Sequence, residues 1–210
     1  MLYKESVNNE TLELIINLQN KKYLQKFYLV GGTALALQLG HRQSIDIDLF
    51  SNFSFDAQEI LEQLSYDFQF KLFYSTINTL KGSINNIQVD ILAHRYQYIA
   101  ETIIQNNISM VSLQDIAAMK LNAISTNGQR AKDFIDIFYL LKIYKMSDII
   151  NFYKKKYNQD NDINILKSLI YFDDVDIAEL PVMLREPKLK WSVIKKTITK
   201  TVTDFVKNSK

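Results

Sequence analysis

The chain has 210 residues and a mass of 24.5 kDa, enough for one large domain or two small ones. Hydrophobic residues make up 47% and charged residues 23%, which excludes a disordered or fibrous chain, and the absence of cysteine excludes disulfides, thiolate zinc sites and thiol nucleophiles. A net charge of +2 does not by itself mark a nucleic-acid binder; no run approaches the roughly 18 apolar residues of a membrane span, and the opening MLYKESVNNE has no apolar signal core, so a cytoplasmic protein without membrane contact is expected.

The segment from Leu12 to Leu24 spaces Leu and Ile as an amphipathic helix does. Phe27 to Val30 is a short β-prone run that ends at Gly31-Gly32. Strong helix formers follow to Leu39, with Thr33 available as N-cap and Gly40-His41 as the stop. From Ser44 to Phe50, Ile45, Ile47 and Leu49 alternate with Ser44, Asp46 and Asp48, the period of a strand, so both aspartates face one side. A helix is predicted from Asp56 to Leu64, then strands at Phe68–Tyr74, Thr79–Gly82 and Ile87–Leu92, the last with Asp90 at its centre. From Leu113 onward the pattern is helical, with late breaks at Pro181 and Pro187. The expected fold class is α+β: a mixed sheet with helices over residues 1–110, followed by a helical domain over 111–210.

Three features of the first half belong to one chemistry. A Gly-Gly turn between strand and helix lets backbone N–H groups approach phosphates, or it is simply a structural turn. Asp46 and Asp48 on one strand face repel unless a cation lies between them or the face is solvated. Mg²⁺ takes such hard oxygen ligands and shares them with substrate phosphates. Asp90, a carboxylate in an apolar strand, completes a set able to hold two Mg²⁺ for in-line phosphoryl or nucleotidyl transfer, and it is the natural aid to deprotonation of the attacking hydroxyl. Arg42 can contact a phosphate or anchor a loop. His41 and His94 carry no assigned role, and two distant histidines do not make a zinc site.

The block GGTALALQLGHRQSIDIDLF resembles the AbiEii/AbiGii family of nucleotidyltransferase-like toxins of abortive-infection and type IV toxin–antitoxin systems, within the DNA-polymerase-β-like superfamily. The later stretch DIAAMKLNAISTNGQRAKDFIDIFYLL resembles that family's second block, which Lys120 and Lys132-Asp133…Asp136 match. The resemblance covers roughly residues 28 to 142. It implies a polymerase-β-like nucleotidyltransferase core and a helical domain contributing to nucleotide and acceptor binding. Asp46, Asp48 and Asp90 would be the metal ligands and, with Lys120, the catalytic residues. Gly31, Gly32, Thr33, Arg42, Ser44, Lys120 and Asp136 would bind the nucleoside triphosphate. Where the superfamily often has Gly-Ser, this chain has Gly31-Gly32, so a hydroxyl contact to the phosphates falls to Thr33 or is replaced by backbone. The implied acceptor is a tRNA 3′ end, the effect growth inhibition, and the partner an antitoxin that acts without stable contact.

Read physically, Lys120 lies on an apolar helix, either meeting a triphosphate as a point charge or snorkelling to the surface. Asp133 and Asp136 share a face of the next helix, where one orients Lys120 or a substrate group, or both complement the helix dipole. Lys154-Lys155-Lys156 and the tail from Lys188 to Lys210, with seven Lys and one Asp, read as solvated amphipathic helix or as a track for an RNA backbone. Two other functions compete: transfer to a small antibiotic-like molecule or a protein hydroxyl, and a non-catalytic binding module on the same fold.

Overall fold

The computed structural model describes residues 2–178 and 180–208 and divides into two compact units, Met1–Ser112 and Leu113–Lys210. Ser209 and Lys210, the end of the basic tail, lie outside the described residues.

The first unit is built on a seven-stranded mixed sheet in the order β3-β4-β5-β2-β1-β7-β6. Its strands are β1 (Tyr28–Leu29), β2 (Ile47–Ser51), β3 (Lys71–Thr76), β4 (Thr79–Ile84), β5 (Ile87–Ala93), β6 (Ile103–Gln105) and β7 (Ile108–Met110). The central strands β2 and β5 run parallel, β1 is antiparallel to β2, and β1 pairs in parallel with β7. Period-two alternation sends Ile47 and Leu49 of β2, Leu80 of β4, and Val89 and Ile91 of β5 to one fully buried face.

Helices α1 (Asn9–Gln19), α2 (Gly31–Leu39) and α3 (Ala57–Phe68) complete this unit. The helix expected from Leu12 to Leu24 instead stops at Gln19 and resumes as a 3-10 turn at Lys22–Leu24. Asn8 caps α1 by accepting from the Thr11 N–H at 2.7 Å, and Asp56 caps α3 by accepting from Gln58 N–H at 2.8 Å. The α2 helix begins at Gly31, with Val30 in the N-cap position, so Thr33 is not the cap. It lies inside the first turn, where its hydroxyl is drawn to the segment that leads into β2.

Two hairpins are closed by Asn-Asn pairs. Asn85 and Asn86 (φ +50° and +65°) join β4 to β5, and Asn106 and Asn107 (φ +54° and +61°) join β6 to β7. Asn tolerates the left-handed region that two-residue hairpins demand at both positions. The β6–β7 hairpin is absent from the elements read off the sequence, although it carries the same Asn-Asn signal.

The second unit is helical: α4 (Leu113–Thr126), α5 (Ala131–Leu140), α6 (Met146–Tyr157), α7 (Ile163–Leu169) and α8 (Trp191–Asn208). Helix α4 packs on α5, α6 and α7, and α8 packs on α5, α6 and α7. Ile194, Ile198 and Val202 form the buried stripe of α8, which leaves Lys196, Lys200 and Lys207 exposed, so this basic segment is an amphipathic helix. The Lys154-Lys155-Lys156 cluster is not a solvated stripe. Lys156 is buried against Asp115, and Lys154 pairs with Asp162 at 2.9 Å. Among the described residues no helix is long and apolar enough to cross a membrane.

The Asn-Asn turn gives a direct test. Replacing Asn86, at φ +65°, with β-branched Val is expected to cost about 1–2 kcal/mol and lower the urea midpoint, whereas Asn86→Gly should leave it nearly unchanged. Equal midpoints for the two variants would rule out the left-handed turn.

Candidate active site

The site grows from the register of four neighbouring strands. Asp48 of β2 is paired with Asp90 of β5, Asp90 with Lys81 of β4, and Lys81 with Tyr74 of β3. Register partners project to the same face, about 4.8 Å apart per strand, so these four side chains form a row on the face opposite the apolar core. Along the row burial falls from Asp90, 6% exposed, to Tyr74, 54% exposed at the sheet edge. Asp90 is held on both oxygens: Lys81 Nζ lies 2.8 Å from Oδ2, and Gln88 Nε2 donates to Oδ1 at 3.4 Å.

Beside this row stands the N-terminus of α2. Val30 N–H donates to the Asp48 carbonyl at 2.9 Å, which brings the strand-to-helix turn against β2. Gly31 has φ +69°, and a Cβ there would stand 2.3 Å from Asp48 Oδ2; a Cβ on Gly32 would stand 2.4 Å from Arg42 Nη2. The positive φ favours glycine at position 31, and at both positions a side chain lies close over the bare backbone. Arg42 is buried, and its Nη1 donates to the Gln43 carbonyl at 3.0 Å. The Thr33 hydroxyl donates to the Asp46 carbonyl and lies 2.9 Å from Ser44 Oγ. The strand begins at Ile47, so Asp46 sits on the approach to β2, two residues before Asp48.

The sequence-derived residues Gly31, Gly32, Thr33, Arg42, Ser44, Asp46, Asp48 and Asp90 thus all lie in the α/β unit, joined by these contacts. Their donor chemistry, carboxylates beside a helix N-terminus, suits a hard divalent cation that completes its shell with phosphate oxygens. Among the described residues, no three acidic or histidine side chains converge into a metal cage.

Lys120 and Asp136 belong to the helical unit. Lys120 Nζ bridges Asp133 Oδ1 at 2.7 Å and Asp136 Oδ2 at 2.6 Å, and Arg130 Nη2 meets Asp133 Oδ2 at 2.8 Å. The α4–α5 connection makes this possible: Lys120 rises from the middle of α4, and the two aspartates share the first turns of α5. A second pair, Lys156 with Asp115 at 2.7 Å, ties α6 to α4. No local sequence pattern marks Lys81, Gln88, Asp115 or Arg130, and Lys156, in the lysine run that reads as a solvated helix or an RNA track, is instead a buried partner of Asp115.

The family profile described as nucleotidyl transferase AbiEii toxin, type IV toxin–antitoxin system, matches residues 14–208. The chain belongs to that family. The uncharacterized protein aq_aa25 of Aquifex aeolicus (strain VF5) is 32% identical over 171 residues, which are 79% of this chain and 81% of that protein. The structure of MenT4, nucleotidyltransferase toxin Rv2826c from Mycobacterium tuberculosis H37Rv, aligns with a TM-score of 0.58 at 14% identity, covering 92% of this chain and 82% of that one, so the two share a fold. This AbiEii-family protein is a nucleotidyltransferase, and the expected fold class is the one found. Membership implies a nucleoside triphosphate substrate, generally a divalent metal, and an antitoxin.

Lys120 compensates two buried carboxylates at once. Lys120→Met is expected to destabilise the protein by roughly 3–5 kcal/mol in urea unfolding, and adding Asp136→Asn should recover part of that loss. A single variant as stable as the wild type would contradict the bridge.

Proposed function

We propose that the protein transfers a nucleoside monophosphate from a nucleoside triphosphate to a tRNA 3′ end in the presence of Mg²⁺, in the cytoplasm, and that this inhibits growth until its antitoxin counters it. The observation that carries the reading is the seating of the Gly31-Gly32 turn directly against Asp48, beside the Asp48–Asp90 pair. The first-turn N–H groups of an α-helix have no partner within the helix, and in α2 they stand next to these carboxylates, a setting that suits a triphosphate held by backbone donors. With the Thr33 hydroxyl engaged by the Asp46 carbonyl, those backbone donors take the place of the missing Gly-Ser hydroxyl.

In this reading Gly31, Gly32 and Thr33 hold the phosphates, Arg42 and Ser44 support the turn, and Asp46, Asp48 and Asp90 face the reacting phosphorus. Asp90 orients the attacking hydroxyl and takes its proton. The acceptor oxygen bonds to the α-phosphorus as the bond to the bridging oxygen breaks and pyrophosphate leaves. Asp46, Asp48 and Asp90 would hold a divalent cation, which would supply charge neutralisation of the phosphates and activation of the hydroxyl. In the helical unit Lys120 holds Asp133 and Asp136, which orders α4 and α5. The exposed lysines of α8 and a sequence pI near 8.5 suit a polyanionic acceptor.

The test is incubation of purified protein with Mg²⁺, each α-³²P-labelled nucleoside triphosphate in turn, and total tRNA. Label should pass to tRNA with the wild type and drop at least about 100-fold with Asp48→Asn, as expected when an electrostatic contact to the reacting group is removed. Label on a small molecule or on a protein would move the acceptor and keep the chemistry. Equal labelling by Asp48→Asn would remove that carboxylate from the reaction.

A further inference from the structure

We propose that Lys81 is the resident counter-ion of Asp90 and controls the entry of a divalent cation at that end of the carboxylate row, an inference that rests on the metal-dependent reading above. Lys81 stands opposite Asp90 in the β4–β5 ladder, and its ammonium is 2.8 Å from Oδ2. The Gln88 amide covers the other oxygen at 3.4 Å. Both Asp90 oxygens are thus met by side chains of its own sheet.

The two partners differ in a way that makes the pair exchangeable. The Asp90 side chain is 9% exposed and fixed in the middle of the sheet, whereas that of Lys81 is 43% exposed. A lysine with that much of its stem in water can swing away from the sheet and be rehydrated, while the carboxylate stays in place. An ammonium and a divalent cation on one carboxylate repel each other strongly at such distances, so the cation must displace Lys81 to use Asp90. Asp48, one strand away, is not Lys81's register partner. At the Asp90 end of the row a built-in positive charge must first give way. A nucleoside triphosphate favours the exchange, because its phosphates give the released ammonium a new anionic partner. Lys81 acts here as a positioning residue through Asp90.

The experiment is calorimetric titration of the full chain with Mn²⁺ alone, without nucleotide, on wild type, Lys81→Met, Lys81→Arg, Lys81→Met/Asp90→Asn and Asp48→Asn. Lys81→Met should bind Mn²⁺ at least about tenfold more tightly than the wild type. Lys81→Arg, which keeps the charge, should stay near the wild type, and Asp90→Asn in the Lys81→Met background should abolish the gain. If Lys81→Met does not fold, Lys81→Gln replaces it with the same expectation. Unchanged or weaker Mn²⁺ binding by Lys81→Met, with binding still lost in Asp48→Asn, would overturn this inference and leave the metal reading standing. No Mn²⁺ binding by any of the proteins would overturn both.

Discussion

An oxygen of the Asp48 carboxylate lies 2.3 Å from where a Cβ would stand at position 31. That close approach fixes much of the α/β unit. It requires a left-handed φ at the first residue of α2, aims the first turn of the helix at the central strand β2, and leaves the Thr33 hydroxyl over the segment that delivers Asp46. The neighbouring contact repeats the constraint, with the buried Arg42 guanidinium against the Gly32 backbone. Positive groups, namely a helix N-terminus and a guanidinium, are thereby packed beside carboxylates that would otherwise repel. The same arrangement leaves bare backbone at the turn.

Asp90 depends on this frame through the sheet. Its place opposite Asp48 follows from the parallel pairing of β2 and β5, and its partner Lys81 follows from the hairpin that joins β4 to β5. A two-residue Asn85-Asn86 turn pairs Ile84 with Ile87, and stepping back along both strands brings Lys81 opposite Asp90. A one-residue slip would send Lys81 into the apolar face and Leu80 or Gly82 onto Asp90. Turn chemistry thus determines which side chain neutralises a carboxylate several residues away.

The same logic separates what could be read from the sequence and what could not. The alternation of SIDIDLF announces β2, and apolar flanks announce β5, because period-two burial is written locally. The Asp48–Asp90 register needs β2 and β5 to be neighbours, which no local pattern states. The Lys81–Asp90 pair was legible in principle, since the Asn-Asn turn fixes that register, and so was the β6–β7 hairpin with its own Asn106-Asn107. Thr33 looked like a cap because hydroxyl residues cap helices; in the fold two glycines extend the helix backwards, and the hydroxyl is used by a tertiary contact instead. Lys156 looked like one of three surface lysines because runs of charge usually are; only the packing of α6 on α4 turns it inward to Asp115.

The ion pairs of the two units have different physical characters. In the helical unit, Asp115, Asp133 and Asp136 are met by Lys156, Lys120 and Arg130, three negative charges by three positive ones. The lysine side chains there are 8% and 1% exposed, and their carboxylates 0–1%. Neither partner of the two lysine bridges can leave without stranding a charge in a low-dielectric interior, so these bridges fix the placement of α4, α5 and α6, while Arg130, its side chain 54% exposed, adds an outer partner to Asp133. Lys81 on Asp90 is the contrasting case, a buried carboxylate answered by a cation whose side chain is 43% exposed. The stem of such a lysine loses little when it moves into water, and the anion it leaves can be taken by another cation. The scaffold of the helical unit rests on pairs of the first kind, and the sheet carries a pair of the second kind.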